Sequence, residues 1–378
     1  MTDVFIIADN IFSPLGISSP ENFARLKKPG SGVMKHDDAT MSEQPFYASL
    51  FNKKDALLND DAKNKFTKFE RLLIASISDA LQNNEAIARD KKTILIISST
   101  KGNISLLESE THSKELNKRI ALTTSAKLVA DHFHFVNQPL VISNACISGV
   151  LAIITGMRLI QSGQYENAVI AGADVISKFV LSGFQSFQAI SDGPCKPFDA
   201  ARTGINLGEG AGTVILSSQK KYSQGIKISG GSVSNDANHI SGPSRTGEPL
   251  YHAITKALKD AGLSPSAIDL ISAHGTATVY NDEMEAKAIT LAGMQSAPVN
   301  SLKGYYGHTL GAAGLIESIV SIHSMKEGLV LPTMGFEHMG VTSPVNICSS
   351  LYKTSLQNCL KTASGFGGCN AALIFSKQ

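Results

Sequence analysis

The sequence has few cysteines, no long apolar run and little charge. Its five cysteines, at positions 146, 195, 348, 359 and 369, lack the spacing of a disulfide framework or a zinc site, so we expect free thiols and no bound metal. No apolar segment reaches the roughly eighteen residues of a membrane span. The first residues, MTDVFIIAD, carry an acid and a short apolar run where a signal peptide needs basic residues and a longer run. We therefore expect a cytoplasmic protein.

Signals for nucleic-acid and nucleotide binding are also missing. Lys plus Arg total 34 against 32 Asp plus Glu, and the basic residues form no block. There is no Walker A motif, and the glycines around Leu207 precede a strand rather than a helix, unlike a dinucleotide fingerprint. What remains is a chain of 378 residues with 43% hydrophobic and 17% charged residues. That composition is typical of a compact protein with two domains or one fused double domain.

Apolar periodicity predicts an alternation of helices and strands, and so an α/β fold. The segment 30–63 is polar and irregular, and we expect it to run over the surface. The predicted elements of the first half are strands at 4–8, 92–98 and 140–142 and helices at 20–28, 66–81, 125–132 and 149–160.

The later part of the chain repeats this plan. Three segments resemble three earlier ones in the same order: 268–273 resembles 93–98, 298–322 resembles the strand and helix around Cys146, and 368–374 resembles 210–216. Ordered similarity of this kind indicates a duplicated α/β unit. We predict an N-terminal half at 1–224 and a C-terminal half at 225–378.

Cys146 is the first candidate for chemistry. It follows the strand at 140–142 and precedes an apolar segment of helical length that starts at Gly149, so it lies where a buried strand turns into a helix. Unpaired N–H groups and the positive end of the helix dipole would lower the pKa of the thiol there and favour the thiolate. On this segment alone, a small buried residue in a tight turn is an equally good interpretation.

Two of the ten histidines have surroundings typical of a site. His274 closes an apolar strand, and His308 lies between the segment KGYYG and the small-residue run GAAG. Because ligands gather at the carboxyl ends of strands, both would face Cys146 in a duplicated α/β unit. The commoner use of such a histidine is a core residue bonded to the backbone. His132 and His134, two apart at a predicted helix end, are expected to be surface or cap residues.

Five motifs resemble those of the β-ketoacyl-acyl carrier protein synthases and occur in the order of that family. They are Asn144-Ala-Cys146-x-Ser-Gly149; Lys196-Pro-Phe-Asp199 with Gly208-Glu-Gly-Ala-Gly212; His274-Gly-Thr-x-Thr278 with Asp282 and Glu285; Lys303 with Gly307-His308 and Gly311-Ala-Ala-Gly314; and Gly365-Phe-Gly-Gly368 with Asn370. The Cys-His-His arrangement is similar to that of the elongating type I/II condensing enzymes. The resemblance implies a thiolase-like duplicated fold with five layers, αβαβα.

The resemblance also implies an acyltransferase, a 3-oxoacyl-acyl carrier protein synthase of fatty-acid, polyene or polyketide-type chain elongation. Cys146 would accept an acyl chain, and malonyl-carrier would lose carbon dioxide and attack that chain in a decarboxylative Claisen condensation. Backbone N–H groups of Cys146 and Phe366 would bind the acyl oxyanion, and neutral His274 and His308 would bind the malonyl thioester oxygen. No cofactor would be bound permanently, because the substrates are carried on the phosphopantetheine of an acyl carrier protein.

Further residues receive roles from the same resemblance. Lys303 and Glu285 would form an orienting ion pair that fixes the loop of His308, with an ordinary surface pair as the alternative. Thr276 and Thr278 would bind the phosphopantetheine arm, or else satisfy the backbone at the strand end. The Phe366 ring would gate the acyl pocket, for which core packing is the alternative. Departures from the family pattern include Ile147 where a smaller residue is usual, which implies a narrower or redirected acyl tunnel. The others are Thr203, Asn281 and Cys369.

The implied partners are an acidic acyl carrier protein and a second subunit, as a homodimer or as a heterodimer with a related synthase subunit; neither nucleic acid nor membrane is implied. Two alternatives stay open. A thiolase would need a second cysteine as acid/base, and Cys369 near the glycine-rich loop invites that comparison. A chain-length or scaffold subunit without catalysis is the other, although such subunits usually lack the nucleophile.

Overall fold

A computed structural model describes residues 2–52, 65–82, 84–237 and 242–378. The helices in these ranges are α1 (Ser19–Leu26), α2 (Lys68–Leu81), α3 (Glu85–Ala88), α4 (Leu106–Ser109), α5 (Lys114–Ile120), α6 (Leu122–Phe133), α7 (Ser148–Gln161), α8 (Lys178–Ser186), α9 (Glu248–Ala261), α10 (Val279–Leu291), α11 (Lys303–Tyr306) and α12 (Ala313–Glu327). The strands are β1 (Val4–Phe12), β2 (Met34–His36), β3 (Phe46–Ser49), β4 (Thr93–Ser98), β5 (Leu140–Ile142), β6 (Asn167–Asp174), β7 (Leu207–Gly208), β8 (Gly210–Ser217), β9 (Ile226–Asn235), β10 (Leu270–Ser272), β11 (Val299–Asn300), β12 (Leu329–Val330), β13 (Tyr352–Lys353), β14 (Asn358–Gly365) and β15 (Cys369–Lys377).

Ten of these strands form one sheet that consists of two five-strand sets with the same topology. The order is β5-β4-β6-β8-β1 in the first set and β11-β10-β14-β15-β9 in the second. In each set the first two pairings are parallel and the last two antiparallel. Among the described residues, the sets join only where residues 4–5 of β1 pair with residues 227–228 of β9. The three segment pairs predicted from the sequence occupy equivalent places in the two sets; the division at residue 224 stays a prediction.

Alternate residues of each strand enter different cores, which gives the fold five layers. In β4, Ile94 and Ile96 face a central core with α7 and α12, whereas Leu95 and Ile97 face α2 and α6. In β10, Leu270 faces the same central core and Ile271 faces α9 and α10. The two strand sets therefore lie on either side of α7 and α12, with further helices outside them. This αβαβα arrangement confirms the predicted fold class.

The two central helices touch through glycines near their N-termini. A Cβ on Gly149 of α7 would lie 2.6 Å from the backbone nitrogen of Leu315, and a Cβ on Gly314 of α12 would lie 2.6 Å from Cγ2 of Val150. Neither position has room for a larger residue, so the helix backbones approach each other directly. This contact fixes the relative positions of the loops that precede the two helices, and those loops carry Cys146 and His308.

The prediction that residues 30–63 run over the surface is wrong for part of that segment. Strands β2 and β3 form there, and Phe46 and Ala48 are buried beside Val180 and Leu207. The four-residue run FYAS is too short for its alternation to stand out in the sequence. Residues 53–63 of the segment lie outside the described residues. The expectation for His134 holds, since it caps α6 in a left-handed conformation. Within the ranges described, no helix is both long and apolar enough to cross a membrane.

Candidate active site

Cys146, His274 and His308 meet in one pocket. Sγ of Cys146 lies 3.0 Å from Nε2 of His308, and one ligand atom from each of the three residues lies within 4.8 Å of the other two. The imidazoles pack edge to face with their ring centroids 5.3 Å apart. The histidines are 3% and 1% exposed, so water has little access to either ring. The structure thus brings together the three residues that the sequence analysis predicted to meet, although His274 and His308 follow Cys146 by 128 and 162 positions.

A strained turn presents Cys146. Strand β5 ends at Ile142 and α7 begins at Ser148, which leaves five residues for the reversal. Ala145 takes up the bend with a φ of +43°, a left-handed conformation that is unfavourable for alanine. Oγ of Ser148 accepts a hydrogen bond from the backbone N–H of Asn144 at 2.8 Å and donates to the carbonyl of Ala145 at 2.6 Å. The loop is therefore fixed on both sides of the strained residue.

Left-handed backbone clusters around the pocket. The structure gives positive φ to six non-glycine residues of the described chain, and five lie in loops that form or support the site: Ala145, Gln188, Phe198, Ala277 and Leu310. Each such conformation costs on the order of 1 to 3 kcal/mol and persists only where the surroundings hold it. Concentration of this strain in one place is typical of a functional site.

The expected low pKa of the Cys146 thiol is wrong. Burial raises the pKa to about 12, and the positive charge of Lys303 only partly offsets that effect. The position before a helix N-terminus is as predicted, but removal from water outweighs the helix dipole. The resting residue is therefore a neutral thiol whose proton must leave during any nucleophilic attack.

Both imidazoles are held neutral. Burial lowers the pKa of His274 and of His308 well below the ordinary value, and the nearby charges of Lys303 and Lys361 lower it further. A neutral imidazole can accept a proton at one nitrogen and donate from the other. Nδ1 of His308 has no hydrogen-bond partner among the described residues, so no side chain or backbone group there fixes its tautomer.

Glu285 holds the loop of His274 rather than pairing with Lys303. Its carboxylate accepts the backbone N–H groups of His274 and Gly275, each at 2.8 Å, and the hydroxyl of Thr362 at 2.6 Å. Glu285 is fully buried on α10. These three bonds satisfy a charge that would otherwise be costly to bury.

The expected ion pair of Lys303 with Glu285 is a wrong prediction, because Lys303 pairs with Glu317 of α12. Nζ of Lys303 also donates to the carbonyl of His274 at 3.0 Å. Lys303 and Glu285 therefore hold the same residue by its two backbone groups. The sequence analysis did not identify the role of Glu317, nor that of Lys361, whose Nζ lies 2.7 Å from the same carboxylate. For both residues, the signal in the sequence was a charged side chain within an otherwise apolar helix or strand.

Two further buried carboxylates fasten the loops of the site. Asp174, at the end of β6, accepts the backbone N–H of Gly311 at 2.7 Å and the hydroxyl of Ser99 at 2.8 Å. Asp282 accepts the N–H groups of Phe198 at 2.7 Å and Thr276 at 2.9 Å. Burial raises the pKa of Asp174 to about 6 and that of Asp282 to about 7. Each carboxylate links loops from distant parts of the sequence.

The pocket above the thiol has a volume of about 390 Å³. Thr276 and Thr278 line it, with their hydroxyls 2.8 Å apart. Phe366 lines it as well, 41% exposed and packed against the rings of Phe184 and Phe187. Core packing therefore does not describe Phe366.

Ile147 and Cys369 lie outside the described lining of this pocket. Ile147 is 1% exposed and packs in the central core, so it can affect an acyl chain only if the chain enters that core. Sγ of Cys369 points at carbonyl oxygens, 3.3 Å from that of Phe366 and 3.8 Å from that of Asn144.

Comparison with known families gives two matches that together span most of the chain. Residues 1–221 match the beta-ketoacyl synthase N-terminal domain, and residues 226–337 match the beta-ketoacyl synthase C-terminal domain. A similar protein is 3-oxoacyl-(acyl-carrier-protein) synthase 2 of Rhizobium meliloti, 36% identical over 250 residues, which is 62% of this chain and 59% of that protein. The protein of the same name from Vibrio cholerae is 28% identical over 412 aligned positions, covering 99% of both chains.

Two solved structures superpose on the whole length of this chain. The ketosynthase ApeO, in complex with its chain length factor ApeC from Xenorhabdus doucetiae, superposes with a TM-score of 0.86 at 26% identity, covering 100% of this chain and 98% of that one. A beta-ketoacyl synthase from Burkholderia phymatum superposes with a TM-score of 0.87 at 25% identity, covering 100% of both.

Proposed function

The chain belongs to the beta-ketoacyl synthase family, and we propose that Cys146, His274 and His308 are the groups with which it performs a decarboxylative Claisen condensation. The observation that carries the assignment is the placement of one thiol and two neutral imidazoles within 4.8 Å of one another in a pocket. An acyl-accepting sulfur and two N–H donors for a thioester oxygen are the groups that this reaction requires.

In the first half-reaction, Sγ of Cys146 attacks the carbonyl carbon of an acyl thioester. The thiol proton passes to Nε2 of His308, 3.0 Å away, and from there to the sulfur of the departing phosphopantetheine. The tetrahedral oxyanion is bound by the backbone N–H groups of Cys146 and Phe366. Support for this pair comes from Gly365, because a Cβ there would lie only 2.9 Å from the backbone nitrogen of Cys146. The end of β14, which leads into Phe366, is therefore in close contact with the backbone of the nucleophile.

In the second half-reaction, malonyl-carrier loses carbon dioxide and its thioester oxygen becomes an enolate. His274 and His308 donate to that oxygen from Nε2. His308 first has to move its proton from Nδ1 to Nε2, which the absence of a partner on Nδ1 within the described chain permits. The enolate carbon attacks the acyl carbon, the bond to Cys146 breaks, and the thiolate takes a proton from solvent. Each donor of this kind contributes roughly 3 to 4 kcal/mol of barrier lowering.

The other predicted residues receive positioning and binding roles. Lys303 and Glu285 hold the two backbone groups of His274 and are positioning residues. Thr276 and Thr278 bind the phosphopantetheine arm, whose amides suit paired hydroxyls. The Phe366 ring is the gate between the thiol and the acyl chain. Its partial exposure leaves it room to swing, and the two rings that it contacts hold it in its present position.

Partners, location and organisation are part of the same proposal. An acyl carrier protein delivers both substrates on phosphopantetheine, no cofactor is resident, and the protein acts in the cytoplasm. A second synthase-like subunit pairs through the sheet edge at β5, where Leu140 is 38% exposed and Val136 is 53% exposed. The chain divides near residue 224 into two halves, which the repeated strand order and the two family matches support.

Intact-mass measurement after incubation with an acyl-carrier tests the nucleophile. We expect the wild-type protein to gain the mass of one acyl group, Cys146→Ala to gain none, and the matched control Cys369→Ala to gain the same mass as wild type. Loading of wild type and Cys146→Ala alike would refute the assignment. No adduct on any variant would support the scaffold alternative, and an adduct whose turnover requires Cys369 would support a thiolase.

A further inference from the structure

The strand end that carries His274 is braced by buried charges on both faces of the sheet. On the outer face, Glu285 accepts the N–H groups of residues 274 and 275. On the inner face, Lys361 of β14 donates to the carbonyls of Ser272 and Ala273, each at 3.1 Å, and Lys303 donates to the carbonyl of His274. Three consecutive carbonyls thus accept from two lysine ammonium groups.

Lys361 is fully buried, as is Lys303, and Glu317 lies between the two. An isolated ammonium in such a place is expensive, and a charge is retained inside a protein only with partners or for a purpose. One glutamate needs only one lysine for neutrality. The second lysine adds a formal positive charge to the Lys303, Glu317 and Lys361 cluster, on the side of the sheet where the imidazoles lie. Burial lowers the pKa of Lys361, and the Glu317 carboxylate partly offsets that effect.

We propose that Lys361 is a positioning residue of the condensation site, holding the strand end of His274 and supplying the positive charge that keeps both imidazoles unprotonated. This inference rests on the proposed function. Its geometric basis is the set of Nζ contacts with Ser272, Ala273 and Glu317. The lowered pKa of both imidazoles, in which burial comes first and Lys303 and Lys361 add to it, is in agreement.

Other ionisable groups also face the imidazoles, and the test has to separate Lys361 from them. The charged or titratable neighbours from the elements packed around the pair are Cys146 before α7, Asp174 of β6, Asp282 and Glu285 of α10, Lys303 of α11, Glu317 of α12, and Lys361 and Cys369 of β14 and β15. Of the basic groups in this set, Lys303 remains in place when Lys361 is replaced.

Histidine titration followed by nuclear magnetic resonance, in protein labelled with carbon-13 at histidine Cε1, measures the effect without any substrate. Signals of His274 and His308 are assigned from single alanine variants. In Lys361→Met, which keeps an unbranched side chain as far as Cε and removes the charged amine, we expect both signals to titrate at higher pH than in wild type. In Glu317→Gln, which leaves both lysines unopposed, we expect the opposite direction. Lys361→Arg should restore the wild-type titration.

Lys353→Met is the matched control, because Lys353 of β13 is exposed and the substitution removes the same charge from the protein surface. It should leave the titration of both imidazoles unchanged, whatever it costs in stability. A folded Lys361→Met protein with wild-type titration would overturn the proposal, and so would a shift of the same sign in Glu317→Gln. If Lys361→Met does not fold, Lys361→Gln, which also removes the charge, takes its place with the same expected shift.

Kinetics then connect the charge to catalysis. The acid limb of the rate of acyl loading on Cys146 should move to higher pH in Lys361→Met, since protonated His308 cannot accept the thiol proton. The rate of malonyl decarboxylation, the step that His274 serves, should fall by up to about 100-fold through misplacement of His274. An unmoved acid limb would overturn the proposal. Failure of wild type to load any acyl group would instead refute the proposed function, and the titration result would stand independently.

Discussion

The backbone N–H groups of Cys146 and Phe366 are assigned to the acyl oxyanion, and Gly365 lies between them. The substitution Gly365→Ala tests that assignment. An added Cβ would lie 2.9 Å from the backbone nitrogen of Cys146 and 3.1 Å from Sγ of Cys369. Favourable carbon contacts begin near 3.5 Å, so the loop must retreat by about 0.5 Å. Oxyanion donors are effective only at about 2.7 to 3.1 Å. We therefore expect acyl loading to slow by about 100- to 1000-fold, equivalent to about 3 to 4 kcal/mol, the cost of losing one donor.

Gly367→Ala provides the matched control in the same loop. Gly367 has a φ of +85°, and no atom lies within 4 Å of the position that a Cβ would take there. Alanine at this position therefore costs about 1 to 2 kcal/mol of backbone strain without touching the nucleophile. We expect this variant to lose stability but to load at close to the wild-type rate. Malonyl decarboxylation should stay near wild type in both variants, because the imidazoles, not these amides, serve that step.

The assay is single-turnover loading followed by intact mass, with thermal unfolding of each variant measured in parallel. The reasoning would be refuted by a Gly365→Ala protein that loads as fast as wild type, because the amide of Cys146 would then not be a required donor. Equal losses in Gly367→Ala and Gly365→Ala would also refute it, since general weakening of the loop would explain both.

Three further predictions concern the thiol, the gate and a buried carboxylate. With the pKa of Cys146 raised by burial to about 12, iodoacetamide should alkylate it about tenfold faster per pH unit from pH 7 to 10; a plateau near pH 8 would contradict the raised pKa. Phe366→Ala should alter acyl loading more than malonyl decarboxylation, and equal changes in the two rates would exclude a gating role. Burial raises the pKa of Asp282 from 3.8 to about 7, so the native state binds the proton more tightly and stability is lost as pH rises from about 4 to 7, by up to about 4 kcal/mol. Asp282→Asn should flatten that part of the stability profile in urea unfolding, and an unchanged slope would contradict the pKa.

The fold could be predicted wherever an apolar run was long and unbroken. Strand β4 is such a run, and its alternate residues fill two different cores. Strand β6, with the sequence NAVIAGAD, and strand β9 were not predicted, because alanine, glycine and serine dilute the apolar signal in both. The duplication was visible for a physical reason as well: each half has to bury one face of its sheet on the same central layer, so equivalent strands need similar side chains.

The site was predictable in its reacting groups but not in its supporting charges. Motif order placed Cys146, His274 and His308 together, whereas the partner of Lys303 depended on which face of a helix each glutamate occupies. Glu285 turns toward backbone amides on the outer face and Glu317 toward the lysines on the inner face. The pKa of Cys146 was mispredicted because the sequence shows the helix start but not the depth of burial. The strain at Ala145 has no sequence signature, since alanine rarely adopts that conformation.

The direct contact of α7 with α12 has a consequence for how the protein is made. The ribosome completes the nucleophile early, but the imidazole that lies 3.0 Å from it belongs to a residue translated 162 positions later. Until the first turn of α12 emerges and docks against Gly149 and Val150, the side of α7 that faces α12 has no cover and the thiol lacks the imidazole of His308. A nascent chain therefore cannot carry out either half-reaction until both halves are synthesised.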